Sequence, residues 1–312
     1  MPAYDDDLRL AHVLADAVER TALDLFGSPD LQVSVGDDGS LTTQASERLE
    51  TLLRHQLGRT RPRDRVVGRV HEETGQGDRR WVLDPVDGTA NYVRGVPVWA
   101  MLISLVVEDT PVLGLVAAPS LSRRWWAGRG SGAWTGRTLS QAVPVRVSST
   151  EVLAHASVSA DEVAAWSHGP HGDGFDRLTD RVWRTRAFGD FWSHTLLAEG
   201  AVDVALAAWM DGYQAAPLSV LVAEAGGRTS TPDGRDVVGG DPRAASAVVA
   251  TNGVLHEEVL SMLGSRAATT AGRESPGRRE GSWAQTATEA TAAPVPVNAG
   301  PDVEGDGDQP QG

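Results

Sequence analysis

The stretch DPVDGT, Asp84 to Thr89, follows directly on the apolar run Trp81, Val82, Leu83. It constrains the fold more than any other feature. A strand that reads as buried must end by delivering two carboxylates, three residues apart, into a turn with a glycine and a hydroxyl. Proline and glycine between aspartates make good turn chemistry, so the fragment alone reads equally well as a plain turn or as a reaction centre. Its surroundings shift the balance. HEET lies just upstream and places Glu72 and Glu73 nearby, while Gly88-Thr89-Ala90-Asn91 opens what reads as a short helix. A helix start offers backbone N–H groups to an anion. Carboxylates suited to hard cations would then stand beside amides suited to phosphate, a layout for metal-assisted phosphoryl transfer.

The flanking sequence predicts the layers that would carry such a turn. Leu8, Ala11, Leu14, Ala15, Val18, Ala22 and Leu25 recur at helical spacing and predict a helix over 4–26, stopped at Gly27. After the turn chemistry of GDDGSLTT, Leu49, Leu52, Leu53 and Leu57 predict a second helix over 44–57, and TRPRDR reads as a loop. From Val66 to Trp134, short apolar runs broken by Gly and Pro predict the strands of one sheet. From Val143 a second alternation begins. EVLAHASVS, RVWRTRAFG and AVDVALAA read as strands, DFWSHTLLAEG and AAPLSVLVAEAGG as helices, the last closed by Gly226 and Gly227. Such alternation predicts an α/β second half. Beyond Ser265 large aliphatic residues almost vanish, so that tail is expected to be disordered. The domain reading is therefore 1–142, 143–265 and a tail over 266–312.

Composition narrows the chemistry. There is no cysteine, which excludes thiolate catalysis and zinc–thiolate sites, and every strong base is arginine. A net charge of −14 argues against nucleic acid as a partner, because a phosphate backbone requires a basic patch. It leaves room for a small phosphorylated substrate met through cations. No apolar run is long enough to span a membrane, and the acidic start MPAYDDDLRL lacks the basic region of a signal peptide, so a cytoplasmic protein is expected. The eight histidines show no metal-ligand spacing. RRWWAGRG reads as strand and hairpin packing rather than as a stacking platform for bases.

WVLDPVDGTANYVRGVPVWAMLISLV resembles the signature of the inositol monophosphatase superfamily. RGVPVWA, AAPSLSRRWWAGRGSGAW and RAFGDFWSHTLLAEGAVDVA resemble its histidinol-phosphate phosphatase branch, and LVAEAGGRTSTPDG the end of the superfamily's second signature. The resemblance covers roughly residues 5 to 262. It implies an α+β fold, the layered α-β-α-β-α sandwich of the inositol monophosphatase and fructose-bisphosphatase type, with the site between the halves. It also implies Mg²⁺, with Mn²⁺ as a substitute. Glu72, Asp84 and the carbonyl of Val86 would hold a first metal, and Asp84 and Asp87 a second. Thr89 and Glu72 would serve catalysis, Thr89 by helping to orient the attacking water. The amides of Gly88, Thr89 and Ala90 would cradle phosphate, and Asp190 in FGDFW would face the other end of the substrate. For Asp190, a helix-start residue favoured by the dipole is an equal reading. The partner expected is a small phosphorylated metabolite, with room for a homodimer.

The chain departs from that family pattern at several positions. The second signature carries an aspartate ten residues before Glu224, and Gln214 stands there, after Tyr213 where tryptophan is usual. Gln214 offers a neutral oxygen and no charge; Asp211, three residues away, is a stand-in only if the loop lets it reach. Ser46 occupies the place of an aspartate that would pair with Thr89 to activate water. Val35 and Gly36 stand where a basic residue precedes that segment, and Ala207 where a substrate-contacting glutamate is usual. Two readings follow. One is a metal-dependent phosphatase acting on a small monoester, histidinol phosphate or an inositol phosphate. The other is an impaired or repurposed homologue that binds a phosphorylated or diphosphorylated metabolite without efficient hydrolysis.

Overall fold

The computed structural model describes residues 4–36, 41–237 and 242–264. The chain opens with helix α1 (Asp5–Leu25), a small hairpin β1 (Val33–Val35) and β2 (Leu41–Thr43), and helix α2 (Gln44–Thr60). Then come β3 (Arg65–Gly68), β4 (Arg79–Asp87), the short helix α3 (Thr89–Val93), β5 (Ala100–Val107), β6 (Thr110–Ala118), β7 (Arg123–Gly128), β8 (Ala133–Gly136) and β9 (Val143–Val145). The second half runs β10 (Ser157–Ala160), α4 (Val163–His168), α5 (Gly172–Arg181), β11 (Arg184–Arg186), α6 (Asp190–Ala198), β12 (Val204–Asp211), α7 (Gly212–Glu224), β13 (Arg228–Ser230), β14 (Ala245–Thr251) and α8 (His256–Gly264).

The strands β3 to β9 form a seven-stranded sheet in sequence order. Only β3 and β4 are parallel; every later pair is antiparallel. The second sheet has five strands in the order β11-β10-β12-β14-β13. Alternation along each strand builds the layers. On β5, Met101, Ile103 and Leu105 join Leu14, Val18, Leu49 and Leu53 of α1 and α2. Ala100 and Leu102 face the other way, into a core shared with Phe191 of α6 and Leu218 and Leu221 of α7. On β12, Ala205 and Ala207 meet that central layer, while Val204 and Leu206 pack on Trp166, Phe175, Leu178 and Val259 of α4, α5 and α8. The order helices, sheet, helices, sheet, helices is the α-β-α-β-α sandwich expected. A Cβ at Gly114 on β6 would lie 2.3 Å from the Pro217 carbonyl oxygen, so α7 rests on the sheet backbone to backbone at a position only glycine fits.

Both N-terminal helices form as the periodicity predicts. Thr43 caps α2 by accepting from the Ser46 amide, satisfying one of the helix's free N–H groups. In the second half some expected strands are shorter. Within EVLAHASVS, Leu153–His155 takes a 3-10 turn and pairing begins only at Ser157; within RVWRTRAFG only Arg184–Arg186 pairs. The segment between β10 and β11, which carried no reading, supplies α4 and α5 to cover the second sheet. The expected tail, 266–312, lies outside the described residues.

Candidate active site

The centre of the site is the end of β4. Its ladder with β5 pairs Asp84 with Leu102 and Asp87 with Ala100, so three steps on β4 match two on β5. The extra residue falls at Pro85-Val86, and proline, lacking an N–H, suits such a bulge. Asp84 and Asp87 are both buried, at 1% and 2% exposure. Gly88 then turns the chain with φ +74°, where a Cβ would lie 3.0 Å from the Val98 carbonyl oxygen. Thr89 Oγ1 donates to the Val86 carbonyl at 2.7 Å, which closes the turn and fixes the hydroxyl.

Each carboxylate has specific partners. Asp87 Oδ2 accepts from the Phe191 amide at 2.8 Å and Oδ1 from Gln214 Nε2 at 2.5 Å. Asp84 Oδ2 accepts from Arg69 at 2.6 Å, while its Oδ1 is buried with no partner among the described residues. Arg69 also donates to Asp211, at 2.6 Å and 3.2 Å, and its guanidinium lies 4.9 Å from the centre of the Tyr213 ring. Asp211 is the N-cap of α7, accepting from the amides of Tyr213 at 3.1 Å and Gln214 at 3.3 Å.

Strand pairing puts Arg69 there. β3 runs parallel to β4 with Gly68 opposite Leu83, so the residue after Gly68 emerges beside Asp84. The loop that follows is held from below by the fully buried Glu50, which accepts from the Val70 and His71 amides at 2.8 Å and 3.0 Å and from Arg54 at 2.8 Å. Asp190 reaches the same place from the other half. It opens α6 in the left-handed region, φ +45°, just after Gly189, and accepts from Asn91 Nδ2 at 3.3 Å. A non-glycine residue held there costs of order 1–2 kcal/mol and marks a position fixed by its surroundings. Asp161, at the end of β10, accepts from the Ala208 amide at 2.7 Å.

Burial with crowded like charge shifts these acids upward. Burial raises Asp84, with Arg69 opposing it and Asp211 adding to it. Burial, then Asp190 and Asp84, hold Asp87 well above the usual carboxylate range. Asp161 is pushed up to about 7, chiefly by burial, with Asp190 and Glu162 adding. For Arg69, burial works against the charge, but Asp84 and Asp211 outweigh it and hold the group above the usual arginine value.

The positions expected from sequence are thus partly gathered. Asp84, Val86, Asp87, Gly88, Thr89, Asp190 and Gln214 converge, with Ala90 exposed at the rim. Glu72 stands exposed in the loop after β3, and its neighbour Glu73 pairs with Arg65 at the surface. Ser46 is buried within the α2 cap, its hydroxyl 3.0 Å from that of Thr43. Ala207 lies in the central core opposite Val248. Asp211 reaches in, and meets Arg69. Sequence reading passed over Arg69 and Asp161; no local pattern marks either. Among the described residues no three Asp, Glu or His side chains are grouped to hold a metal ion. As folded, the donors do not fit a pair of divalent cations: Asp87 has both oxygens taken by N–H groups, Asp84 has one taken by Arg69, and the exposed Glu72 is not grouped with them.

Comparison with known proteins agrees with this architecture. The sequence profile described as the Inositol monophosphatase family matches residues 6–267. The histidinol-phosphatase of Streptomyces coelicolor is 46% identical over 270 residues, covering 85% of this chain and all of that protein. That of Mycobacterium tuberculosis is 45% identical over 262 residues, covering 83% of this chain and 98% of its own length. Among solved structures, the IMPase of Thermotoga maritima superposes with a TM-score of 0.72 at 23% identity, covering 83% of this chain and 97% of that one.

Proposed function

The chain belongs to the inositol monophosphatase family, and from that membership we propose that its site takes a small phosphate monoester and hydrolyses it, histidinol phosphate first and an inositol phosphate second. One observation carries the reading. The bulged end of β4 buries Asp84 and Asp87 and passes through Gly88 and Thr89 straight into a helix start. The amides of Gly88, Thr89 and Ala90 are the donors for phosphate. The Thr89 hydroxyl gives its hydrogen to Val86, which leaves its lone pairs to accept from the attacking water. Asp84 Oδ1, without a hydrogen-bond partner among the described residues and on a carboxylate shifted upward, is the acceptor for that water's proton as oxygen bonds to phosphorus and the ester bond breaks, the departing oxygen taking a proton from solvent. By the family resemblance, Asp190 would face the alcohol portion.

Metal dependence enters through the family alone. Mg²⁺, or Mn²⁺ in its place, would polarise the ester when bound, but the donors present do not fit a pair of such ions and no step above is routed through one. A cytoplasmic location and a homodimer belong to this proposal in the same way. Among the described residues no helix is long and apolar enough to cross a membrane.

A second reading is favoured by Arg69, Gln214 and Ser46 together: a pocket that still binds a phosphorylated metabolite but turns it over poorly. Phosphate release from a panel of small monoesters, with Mg²⁺ and with EDTA, separates the two. Release from histidinol phosphate that vanishes in Asp84→Asn supports hydrolysis. Binding of the ester without release of phosphate supports the second reading.

A further inference from the structure

We propose that Arg69 is the resident cation of this site: its guanidinium stands between Asp84 and Asp211 where a divalent cation would stand, so the chain neutralises its own carboxylates and does not collect Mg²⁺ there. The inference rests on the proposed function only in placing the site at the end of β4.

The geometry points to a built position. Arg69 contributes two nitrogens to two carboxylates on opposite halves of the molecule, at 2.6 Å each. The planar fork of a guanidinium suits such a bridge, where an ammonium would act as a point charge. The group is braced on a third side by the Tyr213 ring, and its backbone is anchored by the pairing of β3 with β4 and by Glu50 beneath the next two residues. The backbone at Arg69 is fixed in register by the β3–β4 pairing, while its side chain keeps 34% exposure.

The remaining donors agree independently. A hard cation of the Mg²⁺ class seeks about six oxygens in near-octahedral order. Here Gln214 turns an N–H toward Asp87, the Phe191 amide takes the other Asp87 oxygen, and of the four oxygens of Asp84 and Asp87 only Asp84 Oδ1 is without a hydrogen-bond partner among the described residues. A dication entering beside Asp84 would meet the positive guanidinium at short range, and like charges there repel strongly. Arg69 would have to leave before metal could bind.

The test uses the full-length protein and the metal alone. Mn²⁺ is titrated and its free fraction read by electron paramagnetic resonance; melting is followed with and without Mg²⁺. The natural protein is expected to hold no Mn²⁺ at about 1 mM and to melt at the same temperature in both conditions. Arg69→Glu, which puts an acid beside Asp84, is expected to bind Mn²⁺ at least about tenfold more tightly and to gain thermal stability with Mg²⁺, since a ligand of the native state shifts unfolding by mass action. Adding Asp84→Asn should remove that gain. Arg69→Gln keeps the length without the charge and covers the case in which Arg69→Glu does not fold; it too should bind Mn²⁺ more tightly than the natural protein. Natural protein that binds Mn²⁺ tightly, through Asp84 and with no gain in either variant, would overturn the proposal. No phosphate ester enters these measurements, so their outcome stands whether or not phosphate release is ever observed.

Discussion

Each end of β4 carries an arginine bridging two aspartates. Where the strand begins, Arg79 spans Asp7 at 2.8 Å and Asp64 at 3.3 Å; where it ends, Arg69 spans Asp84 and Asp211 at 2.6 Å each. The two arginine side chains are almost equally exposed, 35% and 34%. Their acids differ. Asp7 accepts from a second arginine, Arg61, at 3.0 Å, and Asp64 from Trp81 Nε1 at 2.9 Å. Asp84 has a buried oxygen, Oδ1, without a hydrogen-bond partner among the described residues. An arginine bridge therefore does not by itself distinguish a latch from a site. What distinguishes them is that a buried acid keeps unfilled hydrogen-bonding capacity at one end and not at the other, a feature that calls for an explanation.

The largest expected effect lies in the reaction. Asp84→Asn should slow phosphate release from histidinol phosphate about 1000-fold, the scale of a lost general base, while Asp64→Asn at the other end should change it by less than about twofold. Equal losses would mean the two ends work as one unit and the contrast is false. Stability comes next. Arg69→Ala strands a buried carboxylate and should cost about 3 kcal/mol; Arg79→Ala, whose aspartates keep other partners, should cost about 1 kcal/mol. Urea unfolding measures both, and a ranking in the opposite order breaks the comparison. Gly88→Ala should cost about 1–2 kcal/mol, because the position is left-handed and faces the Val98 carbonyl; a neutral change would show that the turn relaxes easily.

The smallest effect concerns pH. The folded Asp161 carboxyl keeps its proton up to about 7, whereas an unfolded chain releases it near ~3.9. Between those values the folded state binds the extra proton, so this contribution falls as pH rises and is fully lost above about 7. Asp161→Asn should flatten that slope and raise the melting temperature at pH 8 by about 2–4 °C. A variant that melts lower at pH 8 would show that the charged carboxylate is stabilising.

Much of this was legible in the sequence, for reasons that separate local from distant signals. α1, α2 and strands β3 to β8 announce themselves through sustained periodicity, and DPVDGT states its turn within six residues; β9, expected to open the second half, instead closes the first sheet beside β8. α4 and α5 bury little more than Trp166, Phe175 and Leu178 around several glycines, too few apolar positions to establish a period. Within the site, Asp84 and Asp87 were found because both lie in one six-residue turn, whereas Asp190, 99 residues from its partner Asn91, was reached only through the family resemblance. Glu72 was chosen for its nearness in sequence, yet Glu50 gathers the amides before it and the side chain points to solvent. Arg69 was missed because its place depends on β3 pairing parallel with β4, which no local pattern reports.

The separation of these residues along the chain turns the Arg69 bridge into a matter of timing. Arg69 precedes Asp84 by 15 residues, but Asp211 follows Arg69 by 142, and Gln214 follows Asp87 by 127. At a synthesis rate of about 5–20 residues per second, Asp87 waits roughly 6–25 s for Gln214 to leave the ribosome. Throughout that interval the first sheet can close around its acids with the second half not yet made. The guanidinium is on hand before Asp84 appears, so the nascent half carries its neutralising charge with it and does not depend on capturing an ion from the cell. A chain built this way can collapse early without leaving Asp84 uncompensated in its interior.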